Sequence, residues 1–367
     1  MTNNNVLFVV ENVSSRFGGQ AYSVPSLFFN FTSSGNNATL VSGYQHLLDL
    51  KNVLFCISSN FNFKFRYINK FKISFSYAFW LIFNIHKFTH IHINGIFSFF
   101  FLYTYIISYF TNKIIIICPR GMLNITNDNR NIFFKFYIKI VYYIMNNCHL
   151  VHCTSFVERN FIYNKYSFNN LFVLSNGFSP LENSKFIKKS SSILYVGRIC
   201  AHKNLLNLIY ALDTLGVFNN YKLDIIGNFD NEFFKSKFLS DKVFKKNQSR
   251  ICLHGFISRE NLSSYYAQAN YFVCPSISEN FGLSILDALS FNLPCLVPTD
   301  SPWSSYINDY NIVDTNPDYQ SLLENIPKLF IIANKSSTND LVKNFYWQNI
   351  IIKFKEKLFQ HDIYYRT

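Results

Sequence analysis

The fold of this chain is decided by the stretch YFVCPSISENFGLSILDALSFNLPCLVPT, residues 271–299 of a sequence of 367. An apolar run of strand length ends in Pro275 and Ser276, a polar loop leads to Gly282, and an apolar segment of helical character follows. A second apolar run then begins at Pro294. A strand, a loop, a helix and a further strand make one unit of a parallel α/β sheet, so the sequence predicts an α/β fold.

The same alternation of apolar runs and longer helical stretches continues in both directions from this unit. It stops once, in the polar stretch SNGFSPLENSKFIKKSSS at 175–192, which separates two sets of predicted strands. The first set is VLFVV, NATLVS, NVLFCI, THIHI, KIIIIC and HLVHCT, and the second is SILYVG, YKLDIIG, RICLHG, YFVCPS and LPCLVP. We expect two doubly wound Rossmann-like domains that face each other across a cleft at the strand carboxyl ends.

The domain boundaries follow from the same pattern. The sequence predicts an N-terminal domain at 1–177, a linker at 178–190 and a C-terminal domain at 191–345. A last helix at 346–367 can cross back to the first domain.

Composition and charge indicate a neighbour outside the protein. Hydrophobic residues make up 49% and charged residues 15%, and the mean hydropathy of +0.07 excludes a disordered chain. Residues 1–180 hold 14 basic and 4 acidic residues, against 20 and 17 in the rest. Such asymmetry indicates an anionic partner. Because no nucleic-acid-binding signature is present, we expect a membrane surface and no nucleic acid.

Two segments of the first half favour contact with that membrane. Residues 61–75 interleave four basic residues with aromatic ones, although a solvated face is the alternative, and residues 95–111 are uncharged and apolar. The apolar segment is near the lower length limit for a spanning helix, so a buried crossover helix is the alternative there. The N-terminus has no basic region of a signal peptide. We therefore expect a cytoplasmic protein, peripheral at the inner face of the cell membrane.

Two other kinds of site are tested and disfavoured. Gly18 and Gly19 follow the first strand, but they lack the G-x-G-x-x-G spacing of a dinucleotide site. They still allow a phosphate or sugar to approach the backbone closely, and a loop that is merely flexible is the alternative. The run CHLVHC at 148–153 suits a buried strand better than a metal site, and the eight cysteines lack any C-x-x-C motif. We expect free thiols and no metal.

Residues with clear chemistry cluster in the second half. Arg198 follows the strand of SILYVGRICAHKN, and Lys203 comes five residues later, so the two cations can neutralise a diphosphate leaving group without a metal. Glu279 and Asp287 are eight positions apart, close to two helical turns, so both can point to one side of a cleft. A Glu279 that only caps the helix is the alternative. The amides of 280–283 lie where a helix start favours anions.

These residues, together with several short motifs, resemble one family. The motifs are FGGQAYSVPSL at 17–27, HIHING at 90–95, CPRGML at 118–123, SNG at 175–177, VGRICAHKN at 196–204, SENFGLSILDAL at 278–289 and SPWSSY at 301–306. Their order and spacing resemble the retaining GT-B-fold nucleotide-sugar glycosyltransferases of glycosyltransferase family 4, in the branch that builds bacterial surface polysaccharides.

The resemblance implies roles for individual residues. Arg198 and Lys203 match the basic pair that holds the donor diphosphate, and Glu279 matches the acid that binds hydroxyls of the transferred sugar. Asp287 stands where the family usually has a ribose-binding Glu, which is a departure. His92 aligns with a histidine that approaches the donor sugar, with a packed strand histidine as the alternative. The remaining expected donor-site residues are Gly18, Gly19, Arg120, Gly121, Asn280, Phe281, Gly282 and Leu283.

The implied activity is transfer of a hexose-type sugar from a nucleotide-diphosphate donor to a hydroxyl of a growing, lipid-linked bacterial surface polysaccharide. The resemblance implies that the N-terminal domain at 1–177 binds the acceptor and that the C-terminal domain at 191–345 binds the nucleotide sugar. Configuration would be retained, and neither a metal nor another cofactor is expected. The scarcity of acids in the first half, where only Glu11, Asp49, Asp128 and Glu158 occur, favours front-face transfer over a protein nucleophile. A non-catalytic scaffold subunit and a nucleotide-sugar epimerase remain as alternatives.

Overall fold

Two compact units make up the chain in the structure, a computed structural model. It describes residues 4–11, 13, 19–42, 53–55, 74–124, 132–181, 191–332 and 336–360. One unit contains the residues up to Gly177 together with the C-terminal helix, and the other is Phe178–Tyr346. Each is a parallel sheet covered by helices, so the predicted pair of Rossmann-like α/β domains is confirmed.

Parallel strands in the order β3-β2-β1-β4-β5-β6-β7 form the sheet of the first domain. The order reverses beside β1, so the switch point of this sheet lies between β1 and β4. The described strands are β1 (Asn5–Val10), β2 (Asn37–Ser42), β3 (Val53–Phe55), β4 (His90–Asn94), β5 (Ile114–Cys118), β6 (Leu150–Cys153) and β7 (Leu171–Val173).

Helices cover both faces of this sheet. The described ones are α1 (Gly19–Ser33), α2 (Phe75–Asn84), α3 (Phe99–Phe110), α4 (Ile132–Asn147) and α5 (Phe156–Tyr166). Buried side chains of α2, α3 and α4 share one core with the sheet. Those of α1 share a separate core with it. The outer sides of α2, α3 and α4 therefore belong to one face of the domain.

A single helix at the end of the chain, which we label α13 (Trp347–Gln360), completes the first domain. Its buried positions Trp347, Ile350, Ile351, Phe354 and Leu358 recur at the three- and four-residue spacing of one helix face. They pack in the core that contains α1, and the rings of Phe354 and Phe8 lie 6.1 Å apart. An apolar stripe on an otherwise polar helix explains why this segment returns to the first domain.

The second domain has the strand order β10-β9-β8-β11-β12-β13, again parallel. Its switch point lies between β8 and β11, where the chain turns to build the other half of the sheet. The strands are β8 (Ser192–Val196), β9 (Lys222–Ile226), β10 (Ile251–Gly255), β11 (Tyr271–Val273), β12 (Cys295–Pro298) and β13 (Ile312–Thr315).

Helices of the second domain are shorter and divide between two cores. They are α6 (Leu205–Thr214), α7 (Glu232–Ser240), α8 (Lys242–Lys246), α9 (Ser263–Gln268), α10 (Leu283–Ser290), α11 (Tyr319–Ile331) and α12 (Asn339–Lys343). Buried residues of α6 and α11 belong to one core, and those of α9, α10 and α12 belong to the other.

The first unit ends at Gly177, and the described start of the predicted linker, residues 178–181, belongs to the second unit. Phe178, predicted as the first linker residue, belongs to the second domain, since its amide donates to the carbonyl of Phe345 at 2.7 Å. Leu181 is buried in the same core. The second domain ends at Tyr346, which pairs with Phe178. The rest of the predicted linker, 182–190, lies outside the described residues.

The apolar segment at 95–111 contains α3 (Phe99–Phe110), a helix of 12 residues. Its buried face includes Phe100, Phe101 and Tyr105, so much of its apolar character belongs to the core. Within the described parts of the chain, we find no helix with the length and apolarity needed to cross a membrane. Residues 61–73 of the other predicted membrane segment lie outside the described residues.

Candidate functional site

An ion pair between Lys203 and Glu279 stands at the switch point of the second domain. Lys203 is the last residue of a single 3-10 turn after β8, and Glu279 lies in the loop after β11. The Lys203 ammonium donates to the Glu279 carboxylate with 2.5 Å between Nζ and Oε2, and both side chains are about 18% exposed. Ligands of doubly wound sheets bind at this place in the topology.

Hydrogen bonds between the two loops fix the geometry of this ion pair. The amide of Ile277 donates to the carbonyl of His202 at 2.9 Å, and His202 Nε2 donates to the carbonyl of Ser278 at 3.0 Å. The amide of Glu279 donates to the carbonyl of Asp300 at 3.1 Å. The carboxylate therefore has a defined position before any ligand arrives, which a binding site for a polar ligand requires.

The ammonium of Lys203 keeps its charge in this setting. Burial lowers the pKa of Lys203, but the adjacent Glu279 carboxylate raises it, and the net shift is upward. A cation that is largely enclosed and permanently charged interacts with an anionic ligand in a medium of low polarity. The pair can thus offer a positive group to a phosphate and carboxylate oxygens to hydroxyl groups.

Arg198, the other predicted cation, lies on the carboxyl side of β8 and is half exposed. Its guanidinium donates to the Asp230 carboxylate at 3.0 Å, so the structure records it in a surface ion pair. The loop beside it is tightly packed, because a Cβ added at Gly227 would lie 1.9 Å from the carbonyl oxygen of Gly197. Gly227 also has φ of +144°, which other residues rarely adopt. This packing brings the ends of β8 and β9 together.

The predicted anion-favouring segment 280–283 does form the start of a helix. Gly282 is the N-cap of α10 with φ of +75°, and a Cβ there would lie 2.7 Å from the Ile285 side chain. The indole of Trp303 donates to the carbonyl of Phe281 and thereby fixes the turn. Asn280 and Leu283 flank these residues. Amides in the first turn of a helix have no partner within the helix, so this end favours an anion.

Asp287 occupies a different environment from Glu279. The helix begins at Leu283, so Glu279 lies before it, and the argument that two helical turns align the two acids is wrong. Asp287 is buried, and both of its oxygens accept from the Arg259 guanidinium at 2.6 Å. Burial raises the pKa of Asp287 to about 6, with Arg259 acting in the opposite direction. The structure therefore pairs the buried Asp287 with a half-buried arginine.

A polar cluster occupies the switch point of the first domain. Arg120, after β5, donates to the Asn94 side-chain oxygen at 2.8 Å and to the Asn176 side-chain oxygen at 2.5 Å. It also donates to the Ser23 hydroxyl at 3.2 Å. Arg120 has φ of +57°, an unfavourable conformation for a residue with a side chain, which persists where the surroundings enforce it. The cluster joins β4, β5, α1 and the end of the domain.

His92 lies in the core and not at the strand end, contrary to the expectation that it approaches a ligand. The side chain is fully buried between Phe8 and Phe354, with ring centroids 5.3 and 5.4 Å away. Burial, followed by His152 and Arg120, holds the pKa of His92 well below its usual range, so the ring is neutral. The alternative, a packed strand histidine, describes its place in the structure.

A directional chain of hydrogen bonds connects this histidine to the polar cluster. The Asn94 amide donates to His92 Nδ1 at 3.0 Å, and His92 Nε2 donates to His152 Nδ1 at 3.1 Å. His152 Nε2 donates in turn to the carbonyl of Leu174 at 2.7 Å. These partners assign the Nε2–H tautomer to both rings. His92 thus positions Asn94, the residue that meets Arg120.

The remaining predicted residues of the first domain have structural partners. The amide of Gly121 donates to Glu158 at 2.5 Å, and Glu158 also accepts from the amide of Thr154 at 2.7 Å. Gly19 begins α1, directly after the loop that follows β1. Gly18 lies outside the described residues. The run CHLVHC contains the buried strand β6, as predicted.

From the sequence, no role is assigned to several residues of the two clusters. Asn94 and Asn176 are quoted in the motifs HIHING and SNG but were given no role, although each ends or follows a strand. Arg259 and Asp230 carry no motif signal, and their partners become evident only in three dimensions. Position at a strand carboxyl end was the available signal for the two asparagines.

Comparison with known proteins connects this geometry to a family. Residues 181–346 match the family described as Glycosyl transferases group 1. The match covers the second domain. Its matched range includes Arg198, Lys203, Glu279 and Asp287, so the ion pair at the switch point belongs to this domain.

Solved structures extend the likeness of fold to the whole chain. Sucrose-phosphate synthase from Thermosynechococcus elongatus superposes with a TM-score of 0.78 and 14% identity, over 99% of this chain and 100% of that one. The HepE protein of Anabaena, solved in complex with UDP and glucose, has a TM-score of 0.73 and 14% identity, over 97% and 99%. Both likenesses show the GT-B fold.

Curated relatives match more limited regions. The O-antigen chain mannosyltransferase of Salmonella typhimurium is 25% identical over 208 residues, which are 54% of this chain and 56% of that protein. Across the curated relatives that it matches, the chain spans from about a third to just over half of their length.

Proposed function

We propose that this chain is a glycosyltransferase that moves a sugar from a nucleotide-diphosphate donor to a hydroxyl acceptor. The observation that carries the proposal is the enclosed Lys203–Glu279 ion pair at the switch point of a domain that matches the group 1 glycosyltransferases. Sugar nucleotides present an anionic diphosphate and a hydroxyl-rich ring, and this pair offers one complementary group for each.

Lys203 is assigned to the leaving group in this proposal. When the bond between the sugar and the diphosphate breaks, negative charge grows on the departing phosphate oxygens. The charged ammonium of Lys203 and the amides at the start of α10 stabilise that charge most strongly in the transition state, which is what raises a rate. Arg198 can add a second cation if its guanidinium turns from Asp230 to the phosphate.

Glu279 is assigned to the sugar. Its carboxylate accepts hydrogen bonds, and the ion pair with Lys203 leaves one of its oxygens, Oε1, available for a hydroxyl. We propose that configuration is retained by front-face transfer and not through Glu158, which is buried and already accepts from Gly121 and Thr154. A carboxylate engaged in this way is a poor nucleophile, which supports front-face transfer without a covalent protein intermediate.

The finer assignments of donor and acceptor rest on relatives. The likeness to HepE, solved with UDP and glucose, and to an O-antigen mannosyltransferase supports a hexose-type sugar on a nucleotide. The latter also supports a growing, lipid-linked bacterial surface polysaccharide as the acceptor, held by the first domain. The charge neutralisation described for Lys203 and Arg198 supports transfer without a metal or another cofactor.

A panel of nucleoside diphosphates and nucleotide sugars tests this activity. We expect one donor and its matching nucleoside diphosphate to raise the thermal midpoint, because a ligand that binds the folded state stabilises it by mass action. The same donor should release nucleoside diphosphate slowly without acceptor. A scaffold subunit would show neither effect, and an epimerase would convert the sugar with no release, so either result contradicts the proposal.

An exposed apolar surface on the first domain supports contact with a membrane. We define this helical surface by the outward side chains of α2, α3 and α4, which cover one face of the sheet. Phe110 on α3 is 79% exposed and Phe133 on α4 is 76% exposed. Two lysines, Lys135 and Lys139, stand among the exposed aromatic side chains of α4. The other exposed large apolar members are Phe75, Phe79, Ile82, Phe83, Ile106, Tyr109, Ile132, Phe136 and Tyr143.

Such a mixture of lysine and aromatic residues suits the headgroup layer of an anionic bilayer. Aromatic rings bury at the boundary of the acyl chains while the ammonium groups meet lipid phosphates. We therefore place the chain at the inner, cytoplasmic face of the cell membrane, where a lipid-linked acceptor is within reach. This placement assigns the basic character of the first half of the sequence to the membrane.

Vesicle flotation tests this surface. Wild-type protein should float with vesicles containing phosphatidylglycerol and much less with phosphatidylcholine alone. Lys135→Gln with Lys139→Gln should weaken binding roughly thirtyfold, since each basic residue near the surface contributes about 1 kcal/mol. Phe133→Ser with Phe136→Ser should also lose binding. Phe233→Ser, at an exposed position of the second domain, is the control; equal loss in this variant contradicts the assignment.

A further inference from the structure

A row of polar side chains crosses the sheet of the second domain where apolar residues are expected. Asp224 lies in the middle of β9, and its side chain is about 6% exposed. In the register of the sheet it is the partner of Cys252 on β10, and His254 lies two residues further along that edge strand. The ladder is irregular between Leu253 and Gly255, so strand alternation does not fix the direction of His254, and the distances between side-chain atoms decide it.

The three ligand-type atoms converge. One carboxylate oxygen of Asp224, Sγ of Cys252 and a ring nitrogen of His254 all lie within 4.8 Å of one another. His254 Nε2 and Asp224 Oδ1 are 2.8 Å apart. A cavity of about 280 Å³ opens beside them, and it is lined by Ser192, Lys222, Asp224, His254, Ser264, Tyr265 and Gln268.

This cluster is separate from the Lys203–Glu279 site. Ser192 and Lys222, which line its cavity, are the first residues of β8 and β9. Lys203 and Glu279 follow the last residues of β8 and β11. In a parallel sheet the amino ends of all strands lie on one side of the domain and the carboxyl ends on the opposite side. The cavity therefore extends toward the amino ends of the strands, away from the candidate donor site at their carboxyl ends.

We propose that Asp224, Cys252 and His254 bind a divalent transition metal of the zinc class, with water or an oxygen from the cavity wall as the fourth ligand. Thiolate and imidazole together select zinc, cobalt and related ions over magnesium and calcium, which prefer oxygen ligands. Three protein ligands beside an open cavity are the usual arrangement of a zinc site that keeps one exchangeable position.

The geometry needs only small movements to hold the ion. With zinc bonds of about 2.0 Å to nitrogen and oxygen and about 2.3 Å to sulfur, tetrahedral ligand atoms lie roughly 3.3–3.5 Å apart. The atoms here span 2.8 Å to at most 4.8 Å. On binding, the metal forms a bond to Cys252 Sγ, and the thiol proton leaves to solvent. The imidazole binds through its neutral Nε2, so its proton moves to Nδ1.

The positive charge of Lys222 lowers the affinity of this site for a cation, which provides a test of the proposal. Its ammonium lies 3.3 Å from Asp224 Oδ2 and is partly exposed, so it must turn toward solvent when a cation arrives. Removal of this like charge should strengthen metal binding, whereas removal of any ligand should weaken it. A mere structural hydrogen-bond cluster predicts no such opposition between Lys222→Met and the ligand variants.

Titration of the full chain with Co²⁺ tests the proposal directly. We expect one equivalent to give the thiolate-to-cobalt charge-transfer absorption, and Zn²⁺ to displace it. Cys252→Ser should abolish this absorption, and His254→Ala should weaken binding by more than about tenfold. Lys222→Met should tighten binding by about tenfold. Cys200→Ser, at the other partly exposed cysteine of the described residues, should leave the absorption unchanged.

Two results would overturn this site. One is a wild-type protein that gives no charge-transfer absorption, and the other is a Cys252→Ser variant that retains it. Far-ultraviolet circular dichroism of each variant separates loss of the site from loss of the fold. Because the readout uses no sugar nucleotide, failure of the metal site and failure of the glycosyltransferase proposal are independent results.

Discussion

Lys203→Ala is expected to lower the rate of sugar transfer by about 10²–10³ while the protein stays folded. The ammonium is the enclosed cation at the switch point of the second domain, and it stays charged there. Its proposed task is to stabilise charge that develops as the diphosphate departs. An interaction of this kind is stronger in the transition state than in the ground state, so the loss should appear mainly in kcat.

A lower rate in Lys203→Ala has a second explanation, which a further variant distinguishes from the first. Removal of Lys203 also leaves the Glu279 carboxylate without its partner, so part of the loss can come from a displaced loop. The double variant Lys203→Ala with Glu279→Ala distinguishes the two causes. If the ammonium contacts the donor, the double variant is at least as slow as Lys203→Ala; recovery of the rate would show that the pair is only structural.

A matched control exists within the same domain. Lys246 pairs with Asp213 at 2.9 Å on the surface, far more exposed than Lys203, so Lys246→Ala removes an ion pair of the same type. Its transfer rate should equal that of the wild type. Arg198→Ala should fall between the two, because the guanidinium must leave Asp230 before it can contact phosphate. Equal rates in Lys203→Ala and Lys246→Ala would contradict the proposed mechanism.

Most of the fold could be predicted from the sequence because its strands are buried on both faces. Runs such as IIIIC and LFVV are apolar throughout, which is typical of parallel strands covered by helices. The two strands missed, β7 (Leu171–Val173) and β13 (Ile312–Thr315), are short edge strands. Three or four residues at the end of a sheet produce too little apolar pattern to distinguish them from loops.

The candidate site was predictable where strand ends and motifs coincide, and less so where side-chain direction matters. Lys203 and Glu279 come together because β8 and β11 are neighbours at the switch point, which follows from the order of strands. The expectation that His92 approaches a ligand comes from the family resemblance and not from the strand pattern. Strand alternation puts His92 and Asn94 on the same face, so it does not show that His92 packs in the core while Asn94 contacts Arg120.

Asp287→Ala is expected to reduce the free energy of unfolding by about 3–5 kcal/mol. The carboxylate accepts two hydrogen bonds of 2.6 Å from Arg259, whose guanidinium also donates to the carbonyl of Ser179 at 2.9 Å. The same guanidinium lies over the ring of Phe178, 5.5 Å from its centre. Without Asp287, the largely enclosed positive charge of Arg259 loses its carboxylate between α10 and the segment that begins the second domain.

Urea unfolding of three variants distinguishes a structural pair from a ribose-binding acid. Arg259→Met with Asp287→Leu should recover much of the stability lost in Asp287→Ala, because it removes both charges and keeps the volume. Asp287→Glu, which restores the residue usual in the resembling family, should lose about 1–3 kcal/mol at this packed position without tightening nucleotide binding. A different outcome is possible, in which Asp287→Ala unfolds like the wild type but binds the nucleoside diphosphate more weakly. In that case the carboxylate binds the ribose, and its hydrogen bonds to Arg259 break when the donor binds.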